Sequence, residues 1–385
     1  MTSAPPHASL AAHWRSEFPI LQRCTYLNSC SLGALSHRAR ARVNEHLDLW
    51  EQHGASAWYE IWWQALADLR AGYGRVVGAA PGSIALHPSA TSALTAVAES
   101  LDNRTRPRII TTALDFPTVP YQWLVKPGVD VVVLESDDQI SVPLEKFAAA
   151  IDARTALVAT THVVFTSGMI QPVAEIAALA HAQGARCLVD GYQAAGQLEV
   201  DVQTLDVDFY ISGGLKWLLG GTGSAFLYAR PELHAELAPR STGWFSHKEQ
   251  FRFDPRAHEY HDDARRLEMG TPALLPVYAQ LGGLSILEEA GIDQVRRETM
   301  ALTEDLIDEA RARGFRPKVA PRAEDRSAIV MLPSEDPRGE VAALKASGFV
   351  TDARPGHVRV SPYFYNLPDE HRALVARLAE LRGQG

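Results

Sequence analysis

Short apolar runs alternate with segments of helical periodicity between about residue 75 and residue 230. Runs of this kind predict strands, and their alternation with helices predicts a mostly parallel sheet that is covered on both faces. The runs are SIALH, RPRIITTA, DVVVLE, TALVATTHV, ARCLVDG, VDFYISGG and GSAFLYA. The pattern therefore indicates an α/β fold.

The segment QPVAEIAALAHAQGA shows how these strands are connected. Val173, Ile176 and Ala180 fall on one face of a helix. Pro172 suits the first helical position, and Gly184 suits a stop at the C-terminal end. We expect a helix between the strands on either side.

The pattern changes beyond about residue 272, where LPVYAQLGGLSILEEAG predicts a long helix. The short runs SAIVML and HVRVS follow, and a last amphipathic helix carries leucines at positions 374, 378 and 381. We expect a large domain over residues 41–271 and a smaller α+β domain over 272–385. Residues 1–40 are expected to form an N-terminal segment that joins the smaller domain.

Length, charge and composition limit the classes of partner. The 385 residues are 46% apolar, which suffices for one large domain and a smaller one. The net charge is −9, and no lysine or arginine cluster provides the basic face that nucleic acid or an anionic membrane requires. Small molecules are therefore the expected partners.

The cysteines and the N-terminal stretch bear on metal sites and on location. Cys24, Cys30 and Cys187 have no CxxC spacing, so the sequence indicates neither a disulfide framework nor a metal site. No basic region followed by an apolar one opens the chain, and no apolar run has the length of a membrane span. We expect a cytoplasmic protein.

Lys216 stands between apolar neighbours in DFYISGGLKWLLGGTG. One interpretation is a surface lysine whose stem lies along apolar groups beside a hairpin. The other is an amine in a partly dry pocket, where desolvation lowers its pKa and makes it a nucleophile toward a carbonyl cofactor. This stretch alone does not decide between them.

Polar residues that directly follow predicted strands are candidates for a ligand site, because open α/β sheets bind ligands beyond the carboxyl ends of their strands. Asp190 ends the run ARCLVDG, and Gln193 lies three residues later. Lys216 follows Asp190 by 26 positions, after one further strand, which predicts that both lie at the same sheet edge. The alternative role for Asp190 is a helix N-cap.

Two further stretches complete a set of chemical groups. Ser89, Thr91 and Ser92 come between a strand and a helix, where they either cap the helix or hold a phosphate. Phe116, in LDFPT, either packs in the core or stacks on a planar ring. A phosphate cradle, an aromatic plate, a carboxylate for a ring nitrogen and an amine for a carbonyl together indicate pyridoxal 5′-phosphate.

Several stretches, in order, resemble fold-type I pyridoxal-phosphate enzymes of the class V aminotransferase family, especially its kynureninase-like and isopenicillin-epimerase-like members. They are YLNSCSLGALS, SATSAL, LDFPT, THVVFTSGMIQPVAEIAALAHAQGARCLVDGYQAAG, SGGLKWLLGGTG, GWFSHKEQFRFDP, RRLEMGTPA and DARPGHVRVSPYFYN. The resemblance covers nearly the whole chain. It implies that the large domain binds the cofactor on its mostly parallel sheet.

The resemblance also implies roles for residues around the cofactor. Lys216 would form the Schiff base, Asp190 would pair with the pyridine nitrogen and Gln193 would approach the ring oxygen. Phe116 would stack on the ring. The phosphate would be bound by Ala90 and Thr91 and, from a second subunit, by Thr271.

For the substrate, the resemblance implies that Arg359, or else Arg354, holds the carboxylate, while Asn28, Trp244 and His247 line the pocket. The alternation of valines around Arg359 in HVRVS predicts a strand that sends its side chain to the face opposite the valines. Arg354 precedes Pro355 in what we expect to be a turn. Arg359 is therefore the preferred anchor.

The chain also departs from the families that it resembles. Kynureninases typically carry His where Gln193 stands and Tyr where Leu215 stands, so one phosphate donor is missing or replaced, with Ser212 as the candidate. Cysteine desulfurases place a reactive cysteine in the segment that matches RPGHVRVSP, where this chain has none. We expect no sulfur transfer by that route, and we expect Cys30 to be a buried small residue.

The resemblance implies an enzyme that acts on a small α-amino acid. The first hypothesis is a kynureninase-like lyase that cleaves a β-substituent, and the alternative is an aminotransferase that passes the amino group to a 2-oxo acid. A catalytically silent cofactor-binding protein is a third hypothesis, from a different class. The resemblance further implies a homodimer with shared active sites.

Overall fold

The computed structural model of the protein describes residues 9–383. In chain order, its strands are β1 (Thr25–Tyr26), β2 (Ile84–His87), β3 (Arg108–Thr112), β4 (Asp130–Leu134), β5 (Thr155–Thr161), β6 (Arg186–Asp190), β7 (Phe209–Gly213), β8 (Ala225–Ala229), β9 (Val330–Pro333), β10 (Phe349–Val350), β11 (Asp352–Arg354) and β12 (His357–Val360). Its α-helices are α1 (Leu10–Trp14), α2 (His37–His53), α3 (Trp63–Val76), α4 (Ala90–Ser100), α5 (Thr118–Leu124), α6 (Leu144–Ala150), α7 (Val173–Ala182), α8 (Leu274–Ala290), α9 (Ile292–Ala312), α10 (Pro337–Ala346) and α11 (Pro368–Leu381). None of the helices in this range is long and apolar enough to cross a membrane.

A seven-stranded sheet in the order β2-β8-β7-β6-β5-β3-β4 forms the centre of the fold. The strands from β7 to β4 run parallel to one another, whereas β8 runs antiparallel to both of its neighbours. Every residue of β6, β7 and β8 except Arg186 is buried, as expected for strands that helices cover on both faces. The seven predicted strands and the α/β fold are confirmed.

Apolar clusters on the two faces of the sheet hold the helices in place. On one face, Leu94 and Val97 of α4 and Trp123 of α5 pack in one cluster with the inner residues of the strands. On the other face, Ile176 and Ala180 of α7 belong to the larger cluster, which also takes in residues of α3 and α8. The core is therefore divided into two layers by the sheet.

The predicted connecting helix forms as α7, with one difference at its start. Pro172 has φ −77° and ψ 69°, so it precedes the helix as its N-cap instead of occupying the first helical position. Gly184 has φ +67°, a left-handed conformation that most side chains resist, and it ends the helix as predicted.

The C-terminal part contains the three-stranded antiparallel sheet β11-β12-β9, with α9, α10 and α11 packed on it. Val358 and Val360 of β12 share a third apolar cluster with Leu374 and Leu378 of α11. Leu381, predicted for the same face, lies at the exposed end of the helix. Helix α8 is the first element after the predicted domain boundary near residue 272, yet it packs mainly on α2 and α3, which precede the central sheet. That boundary therefore stays a prediction.

The two ends of the chain meet in this C-terminal part. Strand β1 pairs in parallel with β10, with Thr25 opposite Phe349. Arg15 forms an ion pair of 2.7 Å with Glu370. The N-terminal segment is thereby joined to residues more than 300 positions away, while its predicted limit at residue 40 stays a prediction.

Candidate active site

A cavity of about 180 Å³ opens beyond the carboxyl ends of β5, β6 and β7. This is the sheet edge at which open α/β folds bind their ligands. The residues around it that matter for the chemistry are Thr91, Phe116, Asp190, Tyr192, Gln193 and Lys216. Asp190 and Lys216 therefore lie at the same sheet edge and line one cavity, as predicted.

Lys216 lies in the turn that follows β7, and the backbone of this turn is packed against the N-terminal segment. The N–H of Gly33 donates to the carbonyl of Leu215 at 2.9 Å. A Cβ on Gly33 would lie 2.2 Å from the Lys216 carbonyl oxygen, so only glycine permits this approach. The lysine backbone is thus held from behind while its side chain points toward the cavity.

The Lys216 amine lies between two aromatic rings. Its Nζ is 5.0 Å from the ring centre of Tyr192 and 5.9 Å from that of Phe116. Burial lowers the pKa of this amine to about 8, although the nearby Asp190 carboxylate acts in the opposite direction. The structure therefore favours the interpretation as a nucleophilic amine over that of a surface lysine.

Asp190 ends β6 inside the cavity. The backbone N–H of Tyr192 donates to its Oδ1 at 2.9 Å, and no helix follows, so Asp190 is not the N-cap that was its alternative role. Burial raises the pKa of the Asp190 carboxyl, and the Tyr192 N–H and the Lys216 ammonium partly oppose this. A carboxylate in such a position gains a strong partner when it meets a protonated ring nitrogen.

The N-terminus of α4 borders the same cavity. Ser89 caps the helix by accepting a hydrogen bond from the N–H of Ser92 at 3.2 Å. Ala90 and Thr91 line the cavity, and the Thr91 hydroxyl is 3.1 Å from that of Thr118. The capping interpretation is therefore confirmed for Ser89, while phosphate binding by Ala90 and Thr91 stays a prediction that their place in the cavity wall permits.

Thr118 is a site residue that sequence reasoning did not single out. It lies in the stretch LDFPT, at the start of α5, and it lines the cavity. The signal was present in the stretch itself, since a hydroxyl two positions after the predicted aromatic plate begins a helix beside the phosphate cradle.

Gln193 lines the cavity but already uses both ends of its side-chain amide. Its Nε2 donates to the Cys30 carbonyl at 3.0 Å, and its Oε1 accepts from Trp217 Nε1 at 2.8 Å. One hydrogen of Nε2 stays available for the ring oxygen that the resemblance implies. Cys30 is fully buried, as expected.

Ser212 does not line the cavity. It is fully buried within β7, and its hydroxyl donates to the Gly191 carbonyl at 3.2 Å. The Ser212 hydroxyl, which was the candidate replacement for a phosphate donor, is therefore already used within the sheet. That donor has to come from another residue.

Phe116 is 46% exposed, which sets it apart from the core residues around it. Its ring meets the edge of Phe165 with 5.3 Å between the ring centres. Both rings line the cavity. This exposure at a cavity wall suits a stacking plate, and Phe165 is a second wall residue that the sequence did not reveal.

Arg359 is buried in β12 with its side chain opposite the two valines, as the alternation predicts. Its Nη2 donates to Ser31 Oγ at 2.7 Å and to Asp352 Oδ2 at 2.5 Å, and its Nη1 donates to the Phe165 carbonyl at 3.1 Å. The buried Nε has no partner within residues 9–383. Arg359 is therefore part of a buried network beside the cavity.

Arg354 lies at the end of β11 and not in a turn, so its predicted turn placement is wrong. The turn begins only at Pro355 and connects β11 to β12. Arg354 is half-buried and forms an ion pair of 2.8 Å with Asp352, the same carboxylate that binds Arg359. The two candidate arginines thus share one counter-charge.

Four other predicted site residues lie outside the cavity of their own chain. Asn28 forms a backbone bridge with Ser361 in the segment after β1. Thr271 is exposed in the loop before α8 and borders a separate cavity. The other two, Trp244 and His247, lie in the irregular segment that precedes α8.

Trp244 and His247 have their polar atoms engaged locally. Trp244 is 40% exposed and donates from Nε1 to the Gln250 carbonyl at 2.7 Å. The Nδ1 of His247 is 2.8 Å from the Glu259 carbonyl. These two residues and Thr271 are therefore not among the residues that line the Lys216 cavity of their own chain.

The groups around the cavity fit pyridoxal 5′-phosphate in kind. A carbonyl group needs a neutral amine, a pyridine nitrogen needs a carboxylate, a planar ring needs an aromatic wall and a phosphate needs a helix N-terminus. Lys216, Asp190, Phe116 and the first residues of α4 supply them at one sheet edge. The residues present therefore fit the aldehyde, the ring nitrogen, the ring face and the phosphate of that cofactor, with one phosphate donor left to assign.

Comparison with known proteins agrees with this chemistry. Residues 43–367 match the family described as aminotransferase class-V. The chain is similar to the uncharacterized aminotransferase YcbU of Bacillus subtilis, with 31% identity over 96% of this chain and 98% of the relative, and to a kynureninase of Shouchella clausii, with 27% identity over 91% and 86%. Among solved structures, a C-DES mutant with glycine covalently linked to the PLP cofactor superposes with a TM-score of 0.88 at 23% identity, covering 95% of this chain and 99% of that one.

Proposed function

This chain belongs to the class V aminotransferase family of fold-type I enzymes and uses pyridoxal 5′-phosphate, and we propose that it cleaves a β-substituent from a small α-amino acid in the kynureninase manner. The observation that supports this most is the position of the Lys216 amine, between two aromatic rings and in one cavity with Asp190. The likeness to kynureninase over 91% of the chain supports the cleavage step.

When bound, pyridoxal phosphate supplies a carbonyl for a Schiff base and a ring that withdraws electrons from the substrate. Lys216 contributes an amine that is in part neutral near pH 8, because burial lowers its pKa to about 8. Lys216 would also be the base that takes the proton from the substrate Cα.

Asp190 and Arg359 orient the partners in this proposal. Asp190 holds a proton on the ring nitrogen, and its burial among the ends of the central strands keeps water away from that contact. Arg359 binds the substrate carboxylate through the edge that carries its unpartnered Nε. Asp352 and Ser31 accept hydrogen bonds from its Nη2 and keep the guanidinium in place.

We further propose that two copies share their active sites. Thr271 is exposed and lies outside the Lys216 cavity of its own chain, so it is accessible to the phosphate site of a second copy. Its loop directly precedes α8, which is packed on α2 and α3 and therefore gives the loop a fixed base.

Amino transfer to a 2-oxo acid is the second candidate. The relative with 31% identity is named an aminotransferase, and both reactions begin with the same proton removal by Lys216. After that step, a lyase releases the β-substituent of the substrate, whereas an aminotransferase adds a proton to the cofactor carbon. The site residues described above are compatible with both reactions.

The deciding experiment incubates the purified protein with a panel of amino acids, with and without a 2-oxo acid. Cleavage of a β-substituent releases alanine or pyruvate without any 2-oxo acid. Amino transfer instead converts the bound cofactor to pyridoxamine 5′-phosphate, and turnover then requires the 2-oxo acid. Turnover that depends strictly on the 2-oxo acid would overturn the lyase proposal.

A matched control separates enzymatic turnover from chemistry of the free cofactor. Lys216→Ala removes the amine while the cavity walls stay in place, so the variant should release neither product above the rate of free pyridoxal phosphate. The wild type and the variant are compared at equal cofactor concentration, with products measured by mass spectrometry.

A further inference from the structure

Tyr192 occupies the cavity with a hydroxyl that the roles described above do not use. It follows Asp190 by two positions, lines the cavity, and places its ring centre 5.0 Å from Lys216 Nζ. A phenol in such a place supplies a hydrogen-bond donor as well as an apolar wall.

The Tyr192 hydroxyl lies over the turn that connects β7 to Lys216. A Cβ on Gly213 would lie 2.9 Å from this oxygen, so the phenol fits only because residue 213 carries no side chain. The nearby backbone N–H of Leu215 partly offsets the rise in the phenol pKa that burial causes. A protonated phenol has one hydrogen that it can donate to a group in the cavity.

Neither residue that could replace a phosphate donor near this turn does so. Ser212, within β7, donates its hydroxyl hydrogen to the Gly191 carbonyl, and Leu215, in the turn, has no polar side chain. Ala90 and Thr91 provide the helix N-terminus, which suits a phosphate, within the same cavity. A phosphate dianion there has more acceptor positions than Thr91 and Thr118 can fill.

We propose that Tyr192 donates a hydrogen bond to the phosphate group of pyridoxal 5′-phosphate and so supplies the donor that neither Ser212 nor Leu215 provides. Burial raises the pKa of the Tyr192 phenol to about 12, with the Asp190 charge adding to the effect, so the hydroxyl keeps its hydrogen at neutral and mildly alkaline pH. Tyr192 is then a phosphate-binding residue of this chain.

The test compares two ligands that differ only in the phosphate. Apoprotein of the wild type and of Tyr192→Phe is titrated with pyridoxal 5′-phosphate and, separately, with pyridoxal, and the dissociation constants are measured by equilibrium dialysis. Because a hydrogen bond to a charged group is at stake, we expect Tyr192→Phe to weaken pyridoxal phosphate binding about tenfold or more. Binding of pyridoxal should be unchanged.

Tyr210→Phe is the matched control. Tyr210 is also buried at this end of the sheet, but its hydroxyl pairs with His162 Nδ1 at 3.0 Å and it does not line the cavity. The control variant should bind both ligands as the wild type does. Circular dichroism and thermal unfolding of each apoprotein verify that the folds are equivalent.

A second measurement addresses the phosphate site without the ring. Inorganic phosphate should compete with pyridoxal phosphate for the wild-type apoprotein at lower concentration than for Tyr192→Phe. An equal loss of pyridoxal and pyridoxal phosphate binding would show that Tyr192 acts only as a ring wall. That result, or unchanged binding of both ligands, would overturn the proposal, whichever reaction the enzyme catalyses.

Discussion

Burial in the cavity determines how the Lys216 amine ionises. Taking the ammonium form out of water is unfavourable, and burial accordingly lowers the pKa from 10.5 to about 8. In the free protein, the fraction of neutral amine should therefore rise with pH around 8. Asp190→Asn removes the carboxylate that opposes the shift, so the pKa of Lys216 should fall further in that variant.

The size of the effect follows from the two pKa values. Their difference corresponds to about 3 kcal/mol, at 1.36 kcal/mol for each tenfold change in the proton equilibrium. At pH 7.5, about one quarter of the Lys216 amines are then neutral, against about one in a thousand for an ordinary lysine. The concentration of neutral amine that can attack a carbonyl is therefore a few hundredfold higher for Lys216 than for an ordinary lysine.

Competitive acetylation of the apoprotein measures this pKa directly. Trace isotope-labelled acetic anhydride is added between pH 6 and pH 11, the protein is then fully acetylated under denaturing conditions, and each lysine is read by peptide mass spectrometry. Lys248 is the internal control, because its exposed ammonium is 2.7 Å from Asp262 and its pKa is raised.

The expected curves are well separated. Lys216 should reach half-maximal reactivity near pH 8, and Lys248 should do so above pH 10.5. A Lys216 curve that coincides with that of Lys248 would refute the reasoning from burial. A rise of the Lys216 pKa in Asp190→Asn would refute the assigned direction of the carboxylate's influence.

Four other outcomes are expected from the same site. Lys216→Met should raise the free energy of unfolding of the apoprotein at pH 7, measured in urea titrations. The lowered pKa of Lys216 costs the folded state stability, fully below pH 8 and progressively less as the pH rises toward 10.5. A stability gain of the variant that persists at pH 10.5 would contradict this. Asp190→Asn should still bind pyridoxal phosphate and lose nearly all turnover, and wild-type rates would disprove its role at the ring nitrogen. Arg359→Lys should weaken substrate binding by about 2 kcal/mol, roughly thirtyfold in KM, with the cofactor absorbance unchanged, whereas an unaltered kcat/KM beside a crippled Arg354→Lys would reverse the assignment. Mixing Lys216→Ala with Thr271→Ala chains should restore part of the activity through hybrid dimers, and an active monomer in sedimentation would count against shared sites.

The central sheet was predictable because each of its strands is a short apolar run between turn residues, a pattern that depends on local sequence alone. The approach of Asp190 to Lys216 followed from the rule that the carboxyl ends of parallel strands share an edge. Both inferences require only the order of the strands along the chain and their direction.

The parts of the site that the sequence did not reveal depend on contacts between distant segments. Arg354 lies in a strand because β11 pairs with β12 across the turn at Pro355, and the turn residues alone did not mark where the pairing begins. Tyr192 reaches the cavity because Gly213, on the neighbouring strand, leaves room for its hydroxyl. The sequence of one segment does not specify which distant segment will lie against it.

The meeting of the two chain ends has a consequence for synthesis on the ribosome. Gly33 and Cys30 brace the lysine turn and Gln193 from the N-terminal segment, and that segment is itself anchored by residues 348–350 and by Ser361. Residues 25–33 can therefore find these partners only when residues 348–361 have emerged from the ribosome. During translation the central sheet can assemble before this segment docks, so the nascent chain should acquire tight cofactor binding only after residue 361 has emerged.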